Sequence, residues 1–394
     1  MNTLLRCLAV SRVITCVLKR QLARCHWFAT GLLVSGLLGC ALIPTKAVGQ
    51  VTSVSGQYYS AAMLDQLLAG QVDSLHLPGL AIAFINRGNV LYHRELGYAN
   101  LATHRRVDAR TLFEAASMSK TVFAYFVLQL VEQGVMALDT PLYTYQPYPE
   151  LAYDVRYKRI TARMVLAHTS GLPNWHEYEP PDSSLHVPAG AQYLKFTPGT
   201  RFSYSGEGYQ YLAQVVAHLL HTDLRGLGAV VYRTVGRQLG MPHSCFGWND
   251  YAAQHKATGY RQQSDGTNEP GTLKTFAEFS AAGGLHTTAL EYAQFMLALL
   301  HEKGLQPASL REMLREQCLM DSAAVPAERQ WWGLGINIRH TPYGNRYKHS
   351  GNNGDFQGYF VLYRQQKTGF VFFTNGDRAS DLFDRLEPWF APVN

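Results

Sequence analysis

Asp and Glu are absent from the first fifty residues, which carry Arg6, Arg12, Lys19, Arg20, Arg24 and Lys46. Over all 394 residues the balance is 35 Lys+Arg against 29 Asp+Glu, a formal net charge of +6. Setting those six cations aside leaves 29 of each sign, so the basic excess is no footprint for nucleic acid. No basic run or zinc-finger spacing occurs elsewhere. Cysteine is scarce as well. Four of the six (Cys7, Cys16, Cys25, Cys40) fall in the first fifty residues, leaving Cys245 and Cys318 with no CxxC spacing, which excludes a cysteine zinc site and a disulfide framework. A single bridge between these two and a pair of separate thiols are both open. HExxH, P-loop, GxSxG and GxGxxG strings are missing, so metalloproteases, nucleotide enzymes and α/β-hydrolases have no foothold, and no cofactor is called for. With 47% hydrophobic and only 16% charged residues, the composition is that of a folding chain and not a disordered one.

The basic start leads into residues 27–43, WFATGLLVSGLLGCALI, an uncharged apolar run short for a bilayer span and suited to the core of a signal peptide. Two exits follow. Ala47-Val48-Gly49 offers small residues ahead of a mature start at Gln50, whereas Leu37-Leu38-Gly39-Cys40 resembles a lipobox that would leave a lipidated Cys40. The third reading is an uncleaved anchor. Residues 1–49 are read as a signal or lipoprotein leader, and all three readings place the rest outside the cytoplasm, in the periplasm or cell envelope.

Residues 50–394 are many for one core and suggest two lobes around a cleft. Residues 61–69 (AAMLDQLLA) have helical spacing, followed by LAIAFI (80–85), a turn at 86–89 and VLYHREL (90–96), which together read as a hairpin. The C-terminal part repeats this character in GLGINIRH (333–340), NRYKHS (345–350), GYFVLYR (358–364) and GFVFFTN (369–375), with a closing helix over 380–390. Between these ends the runs at 120–133, 162–167, 208–221 and 289–301 are helical in period. The expected fold class is therefore α+β: an antiparallel sheet lobe from about 55–115 and 290–394, with an inserted helical lobe at about 116–289. The cleft between them is the expected site.

Ser117-Met118-Ser119-Lys120 opens the first helical run of the insertion, where free backbone N–H groups favour a developing oxyanion. Ser117 and Lys120, three apart, share one helix face, and partial burial would lower the lysine pKa enough to make it a base for the serine hydroxyl. Four residues of this kind occur by chance in many proteins, and the plain alternative is a solvated helix start. Company makes the difference. Phe202-Ser203-Tyr204-Ser205-Gly206 leads into a helical run, and His349-Ser350-Gly351 ends a strand before Asn352-Asn353-Gly354-Asp355. In these strings the sequence resembles the serine β-lactamase and penicillin-binding-protein superfamily, in its class C-like branch with esterases and D-amino-acid peptidases, over about residues 60–390. Leu166-Ala167-His168-Thr169-Ser170-Gly171-Leu172-Pro173 and Ala282-Gly283-Gly284-Leu285-His286-Thr287-Thr288 look like two further family segments. The resemblance implies a β-lactamase/transpeptidase-like fold with Ser117 as nucleophile, Lys120 as its basic partner and Tyr204 as proton relay. It also puts His349 where relatives place the lysine of KTG, with Ser350 and Gly351 beside it, and the backbone N–H groups of Ser117 and Asn352 as the oxyanion hole. His168 and His286 are given no catalytic role.

Two departures from the pattern bear on substrate. Gly206 stands where the family's Tyr-x-Asn motif has its asparagine, so a substrate-contacting amide is missing. A literal Lys367-Thr368-Gly369 lies between two strand-like runs and reads as a hairpin turn, which leaves His349 as the equivalent position; an imidazole is a weaker, pH-dependent anchor for a carboxylate than lysine. The expectation is a serine hydrolase acting on small ester, peptide or D-amino-acid-type substrates. A β-lactamase or DD-peptidase with altered motifs is one alternative, and a non-catalytic envelope protein binding peptidoglycan fragments is another.

Overall fold

The computed structural model describes residues 50–175, 187, 192–275, 277–321 and 329–392. The leader, with its lipobox and cleavage sites, lies outside the described residues. Residues Lys46–Asn394 belong to one compact unit.

The main sheet joins the two ends of this unit. Its strands are β1 (Gly79–Asn86), β2 (Asn89–Asn100), β3 (Arg105–Arg106), β4 (Cys318–Leu319), β5 (Gln330–Trp332), β6 (Asn337–Thr341), β7 (Gly344–Asn352), β8 (Gln357–Tyr363) and β9 (Thr368–Thr374). They line up in the order β4-β5-β6-β7-β8-β9-β1-β2-β3, antiparallel throughout. The seam is β9 against β1, with Phe372 opposite Ile82. Every residue of β1 is buried, because helices cover both faces of the sheet; hence the continuous apolar run in place of alternation.

On one face α1 (Ala61–Ser74) and the closing α5 (Ala379–Phe390) pack Leu64, Leu68, Leu382 and Phe383 on Ile82, Phe84 and Phe370. On the other, Ala83, Phe360 and Phe373 share a core with α2 (Ser119–Glu132) and α4 (Ala289–His301). Helix α2 is buried from Ser119 to Leu130, which explains its all-round apolar sequence. The same cluster continues to Val165, Leu212 and Val216 in the inserted helices, among them α3 (Gly206–Leu219), so sheet and insertion share one apolar core.

Two local readings differ from expectation. The strand read from residue 333 begins at Asn337, because Gly333–Ile336 form a tight turn in which Gly335 has φ +74 and a Cβ would sit 2.6 Å from the Ala124 Cβ. The insertion also contains a small sheet of Phe113–Glu114, Leu285–Thr287 and Cys245–Phe246, whose strands are too short to show a period. The KTG string behaves as a turn: Lys367 has φ +51 at the β8–β9 hairpin, and Thr368 and Gly369 open β9. Cys245 and Cys318 are separate free thiols.

Candidate active site

Ser117 sits in a single 3-10 turn, Ala116–Met118, directly ahead of α2. Ala116 is buried with φ +46, a left-handed conformation that costs an alanine about 1–2 kcal/mol and is held by its surroundings. Ala115 N–H donates to Leu285 O, Ser119 Oγ donates to Ala116 O at 2.5 Å, and Leu285 N–H donates back to Ser119 Oγ. From the other side Gly351 of β7 approaches so closely that a Cβ there would lie 2.2 Å from Ala115 O. The serine turn is thus clamped between the sheet and the 282–288 segment.

Lys120 is fully buried. Its Nζ donates to Ser117 Oγ at 3.2 Å and to Ala282 O at 2.6 Å, which gives the glycine-rich segment at 282–288 a role in holding the amine. The ammonium has no carboxylate partner among these contacts, and burial lowers its pKa to about 7. A lysine so placed is neutral often enough near neutral pH to accept a proton from the hydroxyl it touches.

Tyr204 directly precedes the α3 N-cap. Ser205 Oγ accepts from Gly208 N–H at 2.9 Å and donates to Pro173 O, and its own N–H donates to His168 Nδ1. The His168 ring, fully buried, lies 4.1 Å from the Tyr204 ring. His168 therefore positions the tyrosine from below; the sequence signal was the HTSGLP string, read without a role. Burial raises the pKa of the Tyr204 hydroxyl, and its hydrogen-bonding approach to Ser117 offsets part of that rise. The Lys120 Nζ stands 4.8 Å from the same ring. Gly206, the departure from Tyr-x-Asn, donates to Asn174 O and Oδ1, and a Cβ would meet that carbonyl at 2.6 Å: the 174–175 segment occupies the space an asparagine would need.

His349 is buried on the helix-facing side of β7, its ring 5.3 Å from Trp332 and 6.3 Å from Tyr204. Nδ1 is 2.7 Å from Ser350 O, a carbonyl that can only accept, so Nδ1 carries the proton and Nε2 presents a lone pair with no partner. Burial first and Lys120 second lower its pKa to about 3. That shift favours the neutral imidazole, a weaker anchor for a carboxylate than a lysine ammonium.

These side chains wall a cavity of about 350 Å³. Ser117, Tyr204, His349, Ser350 and Asn352 line it, together with Met320, Gln330, Trp332, Asn337 and Lys348, of which the sequence reading named none. Gly351 is absent from the wall; it is the contact point under the serine turn. Pairing of β6 with β7 stops at Asn337 opposite Lys348, whereas β7 pairs with β8 through Asn352, so the 349–352 edge borders the cavity without a strand partner there. Behind it, Asn353 Nδ2 donates to Glu114 Oε2 and Lys256 Nζ donates to Glu114 Oε1 at 2.6 Å, both charges almost wholly buried. Among the described residues no group of His, Cys, Asp and Glu is arranged to hold a metal ion.

Comparison with known proteins agrees with this architecture. The β-lactamase family model matches residues 64–388. Protein flp of Staphylococcus aureus (strain NCTC 8325 / PS 47) is 24% identical over 212 residues, 52% of this chain but 42% of that protein, so the match spans under half of the relative's length. A penicillin-binding protein homologue from Pyrococcus abyssi, described as octameric, shares the fold with a TM-score of 0.67 at 21% identity, covering 80% of this chain and 73% of that one. A class C β-lactamase does so with a TM-score of 0.66 at 20% identity over 80% and 90%. The β-lactamase family model, matched along residues 64–388, shows that the chain belongs to that family, whose enzymes are of the serine-hydrolase type, and the solved structures share its fold of an antiparallel sheet with flanking helices.

Proposed function

We propose that the chain is a cofactor-independent serine hydrolase that forms an acyl-enzyme on Ser117 and acts on small ester or peptide and amide substrates, D-amino-acid types included. The observation that carries the reading is the buried Lys120 amine 3.2 Å from Ser117 Oγ with its pKa near 7. In this reading neutral Lys120 takes the proton as Ser117 Oγ attacks the carbonyl carbon, and the backbone N–H groups of Ser117 and Asn352 receive the oxyanion. The Tyr204 hydroxyl passes a proton to the leaving alkoxide or amine and is reprotonated from the lysine. Water then adds to the acyl-enzyme and releases the acid. The open edge of β7 would hold an extended acyl chain as an added strand.

Absence of an asparagine at 206 and a neutral His349 support ester or amide substrates over carboxylate-bearing β-lactams. A fluorophosphonate probe should label the protein, and Ser117→Ala should abolish the adduct; labelling that survives the substitution removes Ser117 from the role. Turnover of nitrocefin on a par with p-nitrophenyl esters would instead favour a β-lactamase. We also place the protein in the periplasm or cell envelope on the strength of its leader, with membrane attachment if Cys40 is lipidated. The N-terminal mass of native protein decides between Cys40 and Gln50.

A further inference from the structure

Tyr204 lies in a short stretch, residues 202–205, that belongs to no helix or strand. Such a stretch has no ladder of its own, so the aim of the tyrosine depends on what receives the N–H groups beside it. One residue receives both of its neighbours. Ser203 N–H donates to His168 O at 2.8 Å, and Ser205 N–H donates to His168 Nδ1 at 3.0 Å. The imidazole lies against the Tyr204 ring at 4.1 Å between those two bonds. The same turn goes on to receive the start of α3: Ser205 Oγ donates to Pro173 O, and the N–H groups of Gly206 and Glu207 donate to Asn174 O. His168 has a left-handed backbone, φ +57, and in that conformation its carbonyl and its side chain serve the same three residues.

The chemistry of the bracket is specific to an acceptor. A backbone N–H only donates, so Nδ1 accepts through its lone pair and the ring is neutral, with its proton on Nε2. Burial first, then Lys120 and His349, hold the His168 pKa well below the usual histidine range, so this acceptor persists around neutral pH. An apolar side chain would fill the space but leave the Ser205 N–H, on a residue 1% exposed, without its acceptor. His168 itself is fully buried and takes no part in the cavity wall, whereas Tyr204 does.

We propose that His168 is the positioning residue for proton transfer to the leaving group: by holding Tyr204 from both sides it sets how basic a leaving group this protein can expel. The proposal rests on the reading of Ser117 as nucleophile and Tyr204 as relay. In the step concerned, the bond from the carbonyl carbon to the leaving oxygen or nitrogen breaks and the leaving atom keeps the electron pair. It takes the Tyr204 proton, and the tyrosinate regains one from the Lys120 ammonium, which had received it from Ser117. A basic leaving group needs that proton as the bond breaks, while p-nitrophenolate departs without it. Misdirecting Tyr204 is therefore felt in proportion to leaving-group basicity, whereas a general loosening of the site slows every ester alike.

The measurement is kcat/KM for p-nitrophenyl, phenyl and p-methoxyphenyl acetate, which share one acyl group and differ in the leaving phenol. The variants are the isosteric pair His168→Leu and His168→Asn; the Asn Oδ1 branches from Cγ as Nδ1 does, and Asn tolerates a left-handed backbone. His168→Leu should lose at least about tenfold more on the p-methoxyphenyl than on the p-nitrophenyl ester, and His168→Asn should keep the ratio of the two within about threefold of wild type. Adding His168→Leu to Tyr204→Phe should leave that ratio where Tyr204→Phe alone puts it, since both act through one hydroxyl. A uniform loss across the three esters in His168→Leu, a ratio in His168→Asn shifted beyond that range, or a further shift in the double variant overturns the proposal. Should His168→Leu take no fluorophosphonate label, the His168→Asn ratio decides alone. Wild-type protein that takes the label but cleaves none of the esters also overturns it. Failure of the hydrolase reading is seen separately, as wild-type protein that takes no label.

Discussion

Lys120 owes its chemistry to where it is buried. In water a lysine holds its proton to about pH 10.4 and is useless as a base at neutrality. Here desolvation brings the value to about 7 while the amine keeps two hydrogen bonds, one to the nucleophile. Activity in the proposed mechanism needs the neutral amine, so kcat/KM should fall about tenfold per pH unit below 7 and level off above it. His349, at about 3, stays neutral across that range and should add no limb of its own. A pH profile with p-nitrophenyl acetate checks both; a decline on raising the pH through 6 to 7 would mean that a protonated imidazole is required. The SxxK spacing was visible in the sequence because i and i+3 share a helix face. The depth of burial was not, since it depends on Ala282, Tyr204 and Tyr209 arriving from elsewhere in the chain.

At the scale of elements, the site is a meeting of one turn, one helix start and one strand edge. The Ala115–Ala116 turn and β7 approach over Gly351, and this contact sets how far Ser117 stands from the 349–352 edge. Gly351→Ala would put a methyl group 2.2 Å from Ala115 O, and the turn or the strand must shift. Displacements of about 1 Å at a reacting group cost on the order of a hundredfold in rate, so kcat/KM for p-nitrophenyl acetate should drop by about that factor. Gly70→Ala in α1, where a Cβ meets nothing within 4 Å, should leave it unchanged. The long elements were legible: the hairpin, the four C-terminal strands and the helices at 119–132 and 289–301 carry strong periods or apolar runs. The two- and three-residue strands at 113–114, 245–246 and 285–287 were not, because so short a strand exists only through its partners.

For the whole molecule, the buried pair of Glu114 and Lys256 ties together parts of the chain far apart in sequence. Burial alone would raise the Glu114 pKa, but Lys256 and Asn353 outweigh it and hold the carboxylate below its usual range. Removing one partner leaves a buried charge uncompensated, at a cost of about 3–5 kcal/mol. Glu114→Gln should therefore lower the urea midpoint strongly and, by freeing Asn353, disturb the loop behind β7. The double change Glu114→Gln with Lys256→Met should recover most of the stability, and a double variant no better than the single would refute the pairing energy. None of this could be read from the sequence, where Glu114 and Lys256 are two ordinary charges among many.

By itself the sequence determined the long strands and helices and the strings that carry Ser117, Lys120, Tyr204 and His349, because backbone periodicity and helix-face spacing are local properties. Tertiary structure alone decided how deeply Lys120 and His349 are buried and that Trp332 and Asn337 line the same cavity as Ser117. Those properties arise from desolvation and from pairing across strands, and both depend on residues that only the folded chain brings within reach.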